Sequence, residues 1–276
     1  MRELVSELQY LEGLRGGDTG RNDISLADIY RQRVLTFDLE TMPALAWIYQ
    51  LRTTFIPHKS VLVPGGLLGF SYKWLEEDEA HWVDYRAGYT EMVTKLREIL
   101  HSADFAIGYN SDRFDLPKSK GFIARLGLDP YSPPRSIDLL KTTKSMGWES
   151  ASLDYSCRMM GLRRKVDNGG AGNWLGCVQG DNESWERMEE YGLGDTYATE
   201  ELFLALIPWL KNPPHLGGYV KGEHVCPRCG GLPDPDEEAM SYHAVNTRYE
   251  LFRCVNCSGY FRSSRNGKTT PTATVS

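Results

Sequence analysis

The sequence lacks a long apolar run. Its most apolar stretch, LFLALIPWL at 202–210, falls far short of the roughly 20 residues a bilayer span requires, and Pro208 interrupts it. No membrane association is expected. A signal-peptide pattern is also missing: the opening MRELVSELQYLEGL carries three Glu and no continuous apolar stretch, so an intracellular, cytoplasmic setting is expected. Positive charge is not in excess. With 31 Lys+Arg against 37 Asp+Glu the net charge is −6, which excludes nucleic-acid binding through bulk charge alone. Cysteines outside two pairs are few. Four of the six lie in CxxC pairs, and Cys157 and Cys177 stand alone, a metal pattern rather than a disulfide framework.

What is present fits a globular protein. Hydrophobic residues are 41% and charged residues 25% of 276, a length that suggests about two domains. Residues 1–32 read as a helical lead-in, broken at GGDTG. A main domain is expected over 33–211. NPPHLGG at 212–218 has linker composition, a cysteine-rich module follows at 219–266, and a tail covers 267–276. Charge divides with them: −7 over 1–214 and +1 over 215–276.

The main domain reads as α/β with a mixed sheet. RVLTFDLE at 33–40 predicts a strand, 61–74 a strand, a Pro-Gly-Gly turn and another strand, and 104–110 a further strand. Helices are expected at 91–103, 118–128, 152–162 and 183–210, strand or helix entry at 136–144, and a Gly/Asn-rich loop at 165–176.

Three motifs carry carboxylates. In Asp38-Leu39-Glu40, the two acids project from one face of a strand while Phe37 and Leu39 face the other. Paired carboxylates at the end of an apolar strand repel each other, and a hard cation such as Mg²⁺ or Mn²⁺ offsets the repulsion. A solvated strand end gives the same pattern. In GYNSDRFD at 108–115, a strand runs into a loop bearing Asn110, Asp112, Phe114 and Asp115; an Asx turn or helix N-cap is the ordinary reading. Tyr191 and Asp195 are four residues apart, on one face of a helix, and singly they need mean no more than a surface pair.

Together and in this order, the motifs resemble the DnaQ-like 3′→5′ exonucleases of the RNase H-like superfamily, with the tyrosine typical of the DEDDy branch. Position 190 is Glu, not the His of the alternative branch. The wording FDLET, GYNSDRFDLPK, SIDLLK, LDY and a closing CPRC also resembles exonuclease-like proteins of tailed bacteriophages. The resemblance implies an RNase H-like fold and two-metal hydrolysis of phosphodiesters, with two Mg²⁺ or Mn²⁺ ions held by Asp38, Glu40, Asp115 and Asp195. Asp38, Glu40 and Asp195 would hold the ion carrying the attacking water, Asp38 would bridge to the second, and Tyr191 would orient the water. Leu39, Thr41, Asn110 and Phe114 would line the substrate site, with Met42 beside them. Asp138 reads as structural.

Softer signals have two readings each. Gly192 and Gly194 give either close packing on the sheet or room for a nucleotide. Arg163-Arg164-Lys165 and Trp174 form either a phosphate and base contact or a solvated turn with a packed Trp.

Cys226-Pro-Arg-Cys229 and Cys254-Val-Asn-Cys257 have the spacing of a Cys₄ zinc ribbon holding one structural Zn²⁺. So small a module buries little core, so zinc supplies much of its folding free energy. Tyr249, Phe252, Tyr260 and Phe261 with Arg253, Arg262 and Arg265 make either a nucleic-acid platform or a small core.

The function expected is a 3′→5′ exonuclease on single-stranded DNA ends, serving replication or repair alongside a replication or recombination protein. The alternatives are an RNA exonuclease, a structure-specific endonuclease and a non-catalytic binding module.

Overall fold

The computed structural model describes residues 33–162, 169–211, 224–244 and 247–262. The expected lead-in, the basic triplet 163–165, the 212–218 linker, Arg265 and the tail lie outside them. The described chain falls into two compact units: 33–156 with 169–205, and 157–162 with the chain from Leu206 onward.

The first unit is built on β1, Val34–Thr41. β4 (Leu67–Trp74), β5 (His81–Asp84), β6 (Phe105–Gly108) and β7 (Arg135–Asp138) complete a sheet of order β5-β4-β1-β6-β7. β1 is antiparallel to β4 and parallel to β6, and β6 is parallel to β7, so the sheet is mixed. A short pair, β2 (Leu45–Ala46) with β3 (Val61–Val63), stands apart as a two-stranded hairpin. Helices α1 (Tyr89–Ser102), α2 (Asp115–Arg125), α3 (Leu139–Thr143), α4 (Leu153–Met159), α5 (Ala171–Gln179) and α6 (Asn182–Leu206) follow in order. None of the described helices is long and apolar enough to cross a membrane.

Strand alternation sorts the two faces of the sheet. Leu35, Phe37 and Leu39 join Phe70, Ala106, Met92, Leu96 and Phe122 in the larger core, against α1 and α2. Thr36, Asp38 and Glu40 take the other face. There Thr36 is opposite Lys73, Asp38 opposite Ser71 and Glu40 opposite Gly69 on β4, and directly paired residues share a face.

α6 lies over that second face. Ser71 Oγ donates to Gly192 O at 2.8 Å and shares a 2.6 Å hydrogen bond with Thr196 Oγ1. A Cβ on Gly192 would lie 2.5 Å from the Trp82 ring, so glycine is what lets helix and sheet approach. The close-packing reading of this glycine holds. Lys73 Nζ donates to both Glu200 carboxylate oxygens, at 2.7 and 2.9 Å, and both side chains are largely buried. Burial pushes the Glu200 carboxyl up from its ordinary range, against the pull of Lys73. Removing one partner strands the other charge, at a cost of about 3–5 kcal/mol. Lys73→Met is therefore expected to lower the Tm by roughly 10 °C. Lys73→Met with Glu200→Leu should recover most of it, which calorimetry can check.

Three sequence expectations are corrected. The Gly/Asn-rich stretch does not stay a loop to residue 176. It becomes α5 at Ala171, where Trp174, Cys177 and Val178 recur at helical spacing between left-handed Gly170 (φ 69°) and Gly180 (φ 84°). α2 starts at Asp115, three residues earlier than expected, because Pro117 falls in the first turn, where its missing N–H costs nothing. The last helix ends at Leu206 and closes in a 3₁₀ turn, Ile207–Trp209, around Pro208.

The second unit carries a three-stranded antiparallel sheet of order β10-β9-β8: β8 (Met240–Ala244), β9 (Thr247–Arg253) and β10 (Tyr260–Arg262).

Candidate active site and metal centre

β1 pairs with β6 only as far as Thr36–Ile107. Beyond that register, Leu39 N–H donates to Asp115 Oδ1 at 3.1 Å. The carboxylate at the first residue of α2 thus sits against the backbone between Asp38 and Glu40. Asp138 sets the loop that delivers it. This residue caps α3 by accepting from Leu140 N–H at 3.1 Å, and it accepts from Asn110 N–H at 2.8 Å. Asn110 is left-handed (φ 64°), and its carbonyl accepts from Phe114 N–H at 3.1 Å. Asp138 is therefore a positioning residue, as its structural reading suggested. Asp112, the other acid of the loop, is turned toward Lys141 in an ion pair.

α6 brings Asp195 and Tyr191. Gly192, Thr196 and Glu200 meet β4, and Tyr197 Oη accepts from Ala80 N–H beside β5. Tyr191 and Asp195 lie one residue, about 100° of helix rotation, from Gly192 and Thr196, and Tyr191 packs among Leu68, Trp185 and Met188. Asp38 is the cross-strand partner of Ser71, which is tied to Gly192 and Thr196 on the helix that carries Asp195. Asp195 is buried, and Tyr191 packs edge-on to Trp174 with ring centroids 6.0 Å apart. Trp174 takes the packed role. Glu40 is buried, while Asp38 and Thr41 are half-buried. Leu39 is buried in the core beneath, so it presents backbone rather than side chain, and Phe114 is exposed at the start of α2.

Among the described residues, no three carboxylate side chains bring ligand oxygens within 4.8 Å of one another. The donor set is nevertheless all hard oxygen, which fits Mg²⁺ or Mn²⁺. Joint coordination would need side-chain rotation. Asp115 adds a second argument. At 2% exposure, burial pushes its carboxyl up to about 7, the Leu39 hydrogen bond pulls it down, and Asp138 raises it further. An acid this hard to ionise is relieved by a neighbouring cation.

A pH dependence follows for chelated protein. The folded-state value is raised, so the neutral acid stabilises the fold below about pH 4, and that stability is lost as pH rises through about 7. The effect is at most about 4 kcal/mol. Thermal melts in chelator should show Tm falling between pH 5 and 8, and Asp115→Asn should flatten the fall. Equal slopes in both proteins would count against it.

The four cysteines form a second centre. Cys226, Cys229, Cys254 and Cys257 place their sulfurs within 4.8 Å of one another. Cys226 and Cys257 sulfurs are 3.8 Å apart and those of Cys229 and Cys254 3.5 Å. A tetrahedron with Zn–S near 2.3 Å has S···S of about 3.8 Å, so the set fits zinc. Both knuckles have one design. Gly230 N–H and Ser258 N–H, from left-handed residues, return to the Cys226 and Cys254 carbonyls at 2.8 and 3.0 Å. Cys226 N–H and Cys254 N–H donate to the Gly231 and Gly259 carbonyls at 2.8 and 3.0 Å. Hydrogen bonds from Cys226, then Cys229 and Cys257, hold the Cys254 thiol far below its ordinary range. The module's aromatics divide: Phe261 is fully buried with Phe252 5.6 Å away, whereas Arg262 lies 4.6 Å over the Tyr249 ring and Arg253 pairs with Glu237.

A family model described as the RNase_H superfamily matches residues 70–207, half of the chain. The matched span holds Asp115, Tyr191 and Asp195 and begins after Asp38 and Glu40. The comparison with curated proteins found no match. Among solved structures, the chain is similar to the family B DNA polymerase from the hyperthermophilic archaeon Pyrobaculum calidifontis, at 17% identity and a TM-score of 0.47. The likeness covers 64% of this chain and 25% of the polymerase chain.

Proposed function

The chain belongs to the RNase_H superfamily, and from that premise we propose that it is a metal-dependent nuclease, a 3′→5′ exonuclease of DEDDy type acting on single-stranded DNA ends. The Asp115–Leu39 hydrogen bond carries this reading, because it seats a buried acid from α2 beside the Asp38-Glu40 segment of β1. Ser71, tied to Gly192 and Thr196, supports placing Asp195 over the same strand. Residues 33–211 would form the nuclease domain and 219–266 the zinc ribbon.

Asp38, Glu40 and Asp195 would hold one divalent ion, and Asp38 with Asp115 the second. Such ions, when bound, stabilise the charge on the attacking and leaving oxygens of an in-line displacement. Tyr191 would orient the attacking water by a hydrogen bond from its hydroxyl, with its ring packed edge-on to Trp174. Burial of Glu40, Asp115 and Asp195 keeps bulk water from competing with the phosphate. Thr41, Asn110 and Phe114 would line the entry of the terminal nucleotide.

The test is a time course with Mg²⁺ or Mn²⁺ on 5′-labelled single-stranded DNA beside a circular single strand. Stepwise shortening with intact circles is the expected result. Cleaved circles would favour an endonuclease, preference for an RNA strand an RNA exonuclease, and no cleavage of any substrate a binding module.

A further inference from the structure

The segment between β1 and β4 is unlike the rest of the chain. From residue 42 to 66 there is no acid, while Arg52 and Lys59 are present and exposed. With this stretch at +2, the remainder of the chain carries −8 to make the total of −6. The segment rises from the end of β1 as an arm. Met42 N–H donates to Gly66 O at 2.8 Å, Leu45 is opposite Val63, and Trp47 N–H donates to Ser60 O at 2.9 Å. At its tip, large side chains face solvent: Trp47 is 67% exposed, Tyr49 98%, Leu51 97% and Phe55 75%. An open cleft of about 390 Å³ lies among Trp47, Tyr49, Arg52 and Phe55.

Exposed aromatics interleaved with cations, and no anions, match a single nucleic-acid strand. Bases stack on the rings and phosphates meet the cations. The net negative charge of the chain repels a polyanion, and an acid-free stretch lowers that barrier locally. The arm begins two residues after Glu40, at the end of the strand that carries Asp38 and Glu40.

We propose that residues 42–66 form a stacking arm that grips single-stranded nucleic acid through Trp47, Tyr49 and Phe55, with Arg52 and Lys59 on its phosphates. That the strand held is the one being hydrolysed rests on the nuclease reading; the grip itself does not. The test measures binding of fluorescent dT20 to full-length, zinc-loaded protein carrying Asp38→Asn, so that no substrate is consumed. Adding Trp47→Ala, Tyr49→Ala and Phe55→Ala should weaken binding at least about ten-fold, with Tm unchanged because these side chains are exposed. Arg52→Ser with Lys59→Ser should reduce the slope of log K against log salt by about 1.4.

In otherwise wild-type protein the aromatic triple variant should hydrolyse the p-nitrophenyl ester of thymidine 5′-phosphate, which is too short to reach the arm, as well as the parent does. If the parent hydrolyses neither ester nor DNA but the triple variant still loses dT20 affinity, the nuclease reading falls and the arm stands. Undiminished dT20 affinity in the triple variant overturns the arm and leaves it a protein-docking surface, whatever the hydrolysis result.

Discussion

Asp38→Asn is expected to lower exonuclease turnover by about 10³-fold or more, with the Tm almost unmoved. Asp38 is the half-buried member of the acids, and asparagine keeps its shape, so the fold has little to lose. The expected loss is chemical. A carboxylate shared by two ions supplies charge that an amide cannot. Removing several kcal/mol of transition-state stabilisation costs one factor of ten for each 1.36 kcal/mol. Asp112→Asn is the matched control. Burial raises the carboxyl of that acid, but its ion pair with Lys141 and the Ser136 hydroxyl together bring it below its ordinary range, so turnover should stay within a few-fold. Single-turnover assays at saturating Mn²⁺ measure both. Near-parental turnover in Asp38→Asn would remove the case for a metal-dependent nuclease.

Removing zinc should unfold the cysteine module and leave the five-stranded sheet folded. Zinc binding to such thiolate sets contributes about 10–16 kcal/mol in apparent terms, more than a small module's core supplies. Of the largest fully buried side chains among the described residues, only Phe261 lies there. The expected readout is loss of one zinc per chain and of amide-exchange protection over β8–β10, with protection of β1, β4 and β6 retained. Cys254→Ser should do the same without chelator. Because the thiols must lose protons to bind, zinc should also leave as the pH falls. Protection of β8–β10 that survives zinc removal would show that the sheet stands on its own core.

Much of the fold and the cysteine cluster was legible in the sequence, and the candidate active site as a set of motifs, for identifiable reasons. β1 could be read because its apolar and acidic residues alternate cleanly, and the knuckles because two CxxC pairs 24 residues apart suit a tetrahedral metal and little else. The choice between Asp112 and Asp115 was legible only as a motif; what separates them is Lys141 on one side and Leu39 N–H on the other, neither near in sequence. α5 was hidden by the glycines on either side of it. β5 is four residues long and, among the described residues, pairs only with β4, too short for a period to declare itself. The arm was the hardest to see. Trp47, Tyr49 and Phe55 have the composition of buried residues, and only the missing acids distinguish the segment from core.

The clamp between β4 and α6 also has a bearing on when this protein becomes active during its own synthesis. The hydrogen bonds of Ser71 and Lys73 close over 121 to 127 residues of chain, whereas β4 and β5 meet through a short turn. Long closures are the slow steps of folding, and domains fold as the chain emerges from the ribosome. The β1–β4–β5 meander can therefore form early, but Asp195 arrives only once α6 has left the exit tunnel. On the proposed mechanism a nascent chain would carry its first three acids through most of translation without the fourth, and would gain hydrolytic power only once the sheet's second face is covered.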